Sequence, residues 1–140
     1  MSMIVRKRSG GGGGGGGAIQ ALKVRYDVGV QGGANASVIE LTTLASGTYV
    51  TSVYVVQAEA FVKGPGDPPL VKLGLLTPTD LATAYYNQAP WSNPAAVLLQ
   101  AETYLPSGGA VTLSIDESND VGLLSGKYDI IVLYFTPSAL

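Results

Sequence analysis

From residue 18 onward, apolar side chains recur at every second position in short runs, and clusters of Gly, Pro, Asn, Asp and Ser separate the runs. A period of two sends successive side chains to opposite faces of an extended chain, so each run reads as a strand. Helical spacing is nearly absent. Residues 19–27 place Leu22, Val24 and Tyr26 on one face and Lys23, Arg25 and Asp27 on the other. Residues 111–115 alternate Val111, Leu113 and Ile115 with Thr112 and Ser114. The same pattern predicts strands over 37–41, 49–61, 70–76, 97–105 and 128–136. Residues 49–61 are apolar on both faces, with Tyr54, Val56, Ala58 and Ala60 opposite Val53 and Val55. That fits a central strand, or one whose outer face a partner covers. Residues 29–35, the turn Ala45-Ser46-Gly47 and the Pro- and Gly-rich loop 63–69 punctuate the runs. Thr79 is the candidate N-cap of one helical turn over 79–81, and 82–94 shows no period and reads as an ordered excursion. Seven or eight strands without intervening helices predict an all-β fold, a single antiparallel β-sandwich of jelly-roll-like character.

An arm of different character, residues 1–17, precedes this domain of residues 18–140. Gly10–Gly17 offers no side chain to bury and has the largest backbone entropy to lose, so it reads as a tether. Extended, it reaches about 26–29 Å, and as a relaxed coil about 15 Å. Ahead of it stand apolar Met3, Ile4 and Val5 and the cations Arg6, Lys7 and Arg8. The head carries three bases and no acid, whereas residues 18–140 carry five bases and ten acids. This asymmetry reads as an extended anchor that inserts into a neighbouring molecule; the competing reading is a solubilising tail. Three charges correspond to only about three phosphate contacts, and an acidic protein surface satisfies them equally, so no nucleic-acid partner is expected. The Gly run also matches phosphate-loop patterns, but no strand precedes it and no Lys-Ser/Thr follows.

The chain has no Cys and no His. Thiolate nucleophiles, imidazole acid/base catalysis, haem ligation and zinc fingers are thereby removed together. Among the acids no catalytic pair stands out by spacing, and neither an enzyme activity, a cofactor nor a small-molecule substrate is expected. Asp116, Glu117, Asn119 and Asp120 form the one oxygen-rich cluster; it lacks the spacing of a calcium loop and reads as a solvated hairpin turn, so no metal is expected. No run approaches the ~20 apolar residues of a bilayer span, and the head is too short for a secretory signal, so synthesis in a cytoplasm and no membrane partner are expected. Charged residues make up 13% of the chain, about half the ~25% usual in soluble domains, so much of the polar surface is Ser, Thr, Asn and Gln. Tyr85, Tyr86 and Trp91 gather in the irregular segment beside Asn87, Gln88, Pro90, Asn93 and Pro94. Such rigid rings cap an open end of a sandwich, fill a pocket in another subunit, or stack on a sugar. Asn35-Ala36-Ser37 matches a glycosylation sequon, which reads as chance without a secretory signal.

A wider pattern is carried by Val38-Ile39-Glu40-Leu41, by Gly47-Thr48-Tyr49-Val50-Thr51-Ser52-Val53-Tyr54-Val55 and by Ala58-Glu59-Ala60-Phe61. It continues through Val71-Lys72-Leu73-Gly74 and Gly126-Lys127-Tyr128-Asp129-Ile130-Ile131-Val132-Leu133-Tyr134. Together these segments resemble the small β-sandwich head-decoration, or cement, proteins of tailed bacteriophages, an architecture related to that of phage head-fibre proteins. The resemblance implies a non-enzymatic virion protein, a homotrimer made in the host cytoplasm. It implies a place on the outer capsid surface, bound to the major capsid protein where coat subunits meet and stabilising the shell. The family brings no motif of reactive residues. The expected partner-binding residues are therefore Met3, Ile4, Val5, Arg6, Lys7 and Arg8 of the arm and Tyr85, Tyr86 and Trp91 of the loop. The alternative function is a head-fibre or tail module that holds host-surface carbohydrate through the same three aromatics. The Gly-rich arm and the 82–94 excursion depart from the family pattern.

Overall fold

The computed structural model describes residues 18–34, 38–77, 80–100, 102–116 and 122–137. In chain order they form β1 (Gln20–Asp27), one helical turn α1 (Val28–Gln31), β2 (Val38–Leu44), β3 (Thr48–Lys63), β4 (Leu70–Gly74) and β5 (Ala82–Tyr85). Then follow β6 (Val97–Gln100), β7 (Thr103–Leu105), β8 (Gly109–Asp116) and β9 (Leu123–Phe135). Two antiparallel sheets result. The first has the order β1-β9-β3-β6, with β7 also on β3, and the second has the order β2-β8-β4-β5. Pairing is nested: β1 with β9, β2 with β8, β3 with β6 and β7, β4 with β5. One long ribbon is thus folded back so that β9 lies along β3 and β8 along β4.

The alternation in the sequence builds the core directly. Val50, Val53, Val55, Ile130 and Val132 of the first sheet face Val71, Leu73, Val111, Leu113 and Ile115 of the second, all essentially without solvent exposure. Burying each such side chain contributes about 1.5–3 kcal/mol. The all-β sandwich expected from the period of two is the observed fold.

Several elements differ from the sequence-based expectation. The segment after β1 does not begin as open loop. The Asp27 Oδ1 accepts from the Gly29 N–H at 2.8 Å and caps the single turn α1. Within the expected excursion, Ala82–Tyr85 is a strand, too short for a period to show, held on β4 from Leu70↔Tyr85 to Leu73↔Ala82. The expected helical turn over 79–81 is not seen at its described end. Leu81 N–H donates to the Leu73 carbonyl at 3.0 Å and leads into β5, while Asp80 accepts from the Leu75 and Leu76 amides; Thr79 lies outside the described residues. The single strand expected over 97–105 is two, Val97–Gln100 and Thr103–Leu105, both antiparallel to β3, and a register shift falls within the first of them, between Leu98 and Gln100.

Candidate interaction surface

Of the residues expected to bind partners, Met3, Ile4, Val5, Arg6, Lys7 and Arg8 lie outside the described residues, as does the acidic turn after Asp116. The aromatic loop is divided between interior and surface. Tyr85 ends β5 and is 45% exposed, whereas Tyr86 is half-buried against the core. Trp91 has no exposed surface. Its indole N–H donates to the Val71 carbonyl at 3.2 Å, and its own carbonyl accepts from the Tyr128 hydroxyl. The ring stands edge-on to Tyr128 at 5.4 Å and lies 5.6 Å from Phe61, which in turn meets Tyr128 at 4.2 Å and Tyr26 at 6.0 Å. Trp91 therefore plugs the sandwich, and its expected part in partner or sugar contact is corrected: no face of the indole is free. Its polar N–H is satisfied by a backbone carbonyl, as a buried indole requires. Burial pushes the Tyr128 phenol up to about 12 and raises Tyr26 further above its ordinary value.

A second surface was only half visible in the sequence. The outward positions of the first sheet form cross-strand rows that mix apolar side chains with charged and polar ones. Lys23, Ile131, Tyr54 and Leu98 make one row across all four strands, and Ala21, Leu133 and Ser52 make the next. At the end of the face Phe135 stacks on Tyr49 at 5.1 Å, with Tyr104 at 6.4 Å on its other side. None of these outward side chains joins the core, yet Leu98 and Tyr104 are 53% and 51% exposed. The other sheet presents a different exterior: Glu40, Thr43, Lys72, Thr83, Thr112 and Ser114 occupy its outward positions, with Val38, Leu70 and Tyr85 toward its margins.

The charges on the outward face of the first sheet are satisfied within the chain. Arg25 on β1 grips Asp129 on β9 with two hydrogen bonds, Nε to Oδ1 at 2.8 Å and Nη2 to Oδ2 at 2.9 Å, and Lys23 Nζ lies 3.8 Å from the same carboxylate. The guanidinium holds the Asp129 carboxyl below the usual carboxylate range, against the opposing effect of burial, and Asp129 raises Arg25 in return. Lys127 pairs with Glu59 at 3.8 Å. At the aromatic end, the Tyr49 hydroxyl donates to Glu102 at 3.1 Å, which raises the phenol above its ordinary value.

Comparison with solved structures finds this fold elsewhere. A chain of the cyanophage Pam1 capsid asymmetric unit superposes with a TM-score of 0.63 at 16% identity, over 95% of this chain and 94% of that one. A chain in the capsid of Ralstonia phage GP4 gives 0.58 at 14% identity, over 95% and 93%. One from the acidic-stable capsid structure of Helicobacter pylori bacteriophage KHP30 gives 0.56 at 20% identity, over 88% and 97%. Phage capsid structures contain this fold. No protein-family model and no curated protein matches the sequence. Among the described residues no three His, Cys, Asp or Glu side chains gather as a metal would require, and no helix is long and apolar enough to cross a membrane.

Proposed function

We propose that the chain is a non-enzymatic structural protein of a phage virion, a decoration or cement protein that binds the major capsid protein on the outer capsid surface and stabilises the assembled shell. One observation carries the reading. The three capsid chains are matched over 93–97% of their own length and over 88–95% of this one, so the similarity is between whole small chains. The nested ribbon, with sheet orders β1-β9-β3-β6 and β2-β8-β4-β5, also supports the jelly-roll form of the sandwich.

The mechanism is mass action. A ligand that binds the assembled shell and not loose coat subunits stabilises the shell by its differential affinity, about 2.7 kcal/mol per site when its free concentration is a hundred times Kd. In this reading the arm is the anchor: Met3, Ile4 and Val5 enter an apolar groove between coat subunits, and Arg6, Lys7 and Arg8 meet acidic groups beside it. The tether Gly10–Gly17 lets the head find that groove at a distance of about 15–29 Å from the sandwich. A homotrimer presenting three such arms holds the shell multivalently, well beyond the affinity of one arm. Synthesis in the host cytoplasm, where shells assemble, completes this reading.

Co-sedimentation with shells stripped of the protein tests it. Full-length protein is expected to pellet with shells and to raise their disassembly temperature, and a variant lacking residues 1–17 to fold but stay in the supernatant. Equal retention of the truncated protein removes the anchor role, and failure of the full-length chain to bind shells removes the proposal.

A further inference from the structure

We infer that the aromatic row at the end of the first sheet where β1 begins is a resting seat for the chain's own head, Met3–Arg8, which docks there within one molecule until a shell draws it off. The docking is a property of the chain alone; its consequence for shell binding rests on the virion reading.

Register builds the row. Tyr49 pairs with Phe135 on one side and with Tyr104 on the other, and its ring stands 5.1 Å from the first and 6.4 Å from the second. Gln20 pairs with Tyr134, so Ile19 comes to the β1 end of the same row, beside Phe135. Ile19 is 45% exposed and Tyr104 51%. The ion-paired residues of this face, Lys23 and Arg25 with Asp129 and Lys127 with Glu59, belong to rows farther along the strands. Beside the aromatic row stands an acid, Glu102, which is exposed and accepts from the Tyr49 hydroxyl at 3.1 Å.

Reach and chemistry select the occupant. Ala18 joins the tether Gly10–Gly17 directly to Ile19, so the arm leaves the sandwich at the row itself. Strands β1, β9, β3 and β7 lie side by side, which puts Tyr104 about 14 Å from that exit. A relaxed tether averages about 15 Å, and effective concentration is greatest where linker length matches the span. Such a tether delivers Arg8 to the Tyr104 edge, where Arg6, Lys7 and Arg8 meet Glu102 and the ring faces. From there three extended residues, about 10 Å, carry Met3, Ile4 and Val5 back over Tyr49 and Phe135. Thioether and aliphatic side chains make favourable contacts with such rings. A short flexible tether supplies the head at about millimolar effective concentration, so an intrinsic Kd of about 0.1 mM leaves it free about a tenth of the time. Shell binding is then weakened by that fraction, about tenfold, and the free protein keeps its apolar head covered.

Trypsin reads the docking in the full-length protein, because its sites Arg6, Lys7 and Arg8 lie in the head. Cleavage there is followed by mass for wild type, for Tyr104→Ser and Glu102→Gln at the row, and for Thr43→Ala outside the opposite sheet as control. Tyr104, Glu102 and Thr43 are exposed, so their replacement leaves the core intact, and the emission of buried Trp91 reports that each variant is folded. Wild type and Thr43→Ala are expected to be cut slowly, at a rate independent of dilution, Tyr104→Ser about tenfold faster and Glu102→Gln in between. Cleavage of wild type and Tyr104→Ser at one rate overturns the inference. Protection that fades on dilution also overturns it, since the head is then held by another chain. Pelleting with stripped shells separates this result from the virion reading: Tyr104→Ser is expected to bind at about tenfold lower concentration than wild type. Weaker binding by Tyr104→Ser assigns the row to the shell contact and overturns the resting seat. Failure of both proteins to pellet removes the virion reading, while the trypsin rates still decide the docking.

Discussion

Arg25 and Asp129 lie 104 residues apart in sequence and form a two-pronged ion pair between neighbouring strands, at 2.8 and 2.9 Å, on the outward face of the first sheet. The pair ties the first strand of the sandwich to the last. Because the guanidinium lowers the Asp129 pKa in the folded state, the unfolded chain binds this proton more readily than the native one. The contribution is therefore full above the ordinary carboxylate value of about 4 and is lost as pH falls through that value toward the lower folded one. Asp129→Asn is expected to lower the thermal midpoint at neutral pH by a few degrees and to flatten its dependence on pH below about 4. Thermal melts across an acid pH series check this; a variant whose midpoint falls in parallel with wild type below that pH contradicts it.

The one tryptophan of the chain gives a second prediction. Trp91 is wholly enclosed by Phe61, Tyr128 and the backbone of β4, so Trp91→Ala leaves a cavity and costs about 3–5 kcal/mol. Tyr128→Phe keeps the ring but strips the Trp91 carbonyl of its donor, for a loss of about 1–3 kcal/mol. Tyr85→Ala, at an exposed position on the edge strand of the second sheet, stays within about 0.5 kcal/mol. Urea titrations followed by circular dichroism order the three. Equal losses for Trp91→Ala and Tyr85→Ala contradict the placement of Trp91 as a plug.

These contrasts also show what the sequence makes legible. Strands β1 and β8 alternate cleanly because each has one face in the core, and their inward residues follow from spacing alone. The apolar outer face of β3 was visible too, as Tyr54 and Val56 opposite Val53 and Val55. That Leu98, Tyr104 and Ile131 join it was not visible, because the rows are made by pairing strands remote in sequence. Strand β5 is only four residues, shorter than any period can reveal. Trp91 sits among Pro, Asn and Ser, the composition of a surface loop, and only the open space beside Phe61 and Tyr128 draws it inward. The Arg25–Asp129 bond likewise depends on register and leaves no local mark.

Glycine tests how closely β3 and β9 approach. Gly126 has φ +142°, and a Cβ there would lie 2.5 Å from Phe61 Cδ1 and 3.0 Å from Phe61 Cα. Gly47 has φ +83° but open space around it. Gly47→Ala therefore meets only backbone strain, about 1 kcal/mol, whereas Gly126→Ala adds a clash with a buried ring and its main chain and costs about 3 kcal/mol. Denaturant midpoints of the two variants are expected to fall in that order. Equal midpoints contradict the tight contact at Phe61.

Alkaline titration probes the buried end of the sandwich from another direction. The Tyr26 hydroxyl donates to the Gly32 carbonyl at 2.6 Å, and both Tyr26 and Tyr128 are withdrawn from solvent. Burial raises their folded pKa values, that of Tyr128 to about 12, above the ordinary phenol value of about 10. The native state then keeps protons that the unfolded chain releases, so the stability these groups confer is full below about pH 10 and is lost as pH rises from there toward 12. The last tyrosinate absorbance is expected to appear together with the red shift of Trp91 emission, because ionising these phenols and opening the core are one event. Tyr128→Phe, though less stable at neutral pH, is expected to lose less of its remaining stability over that alkaline range. Complete tyrosinate absorbance while Trp91 still emits as a buried ring contradicts the coupling and places those hydroxyls within reach of water.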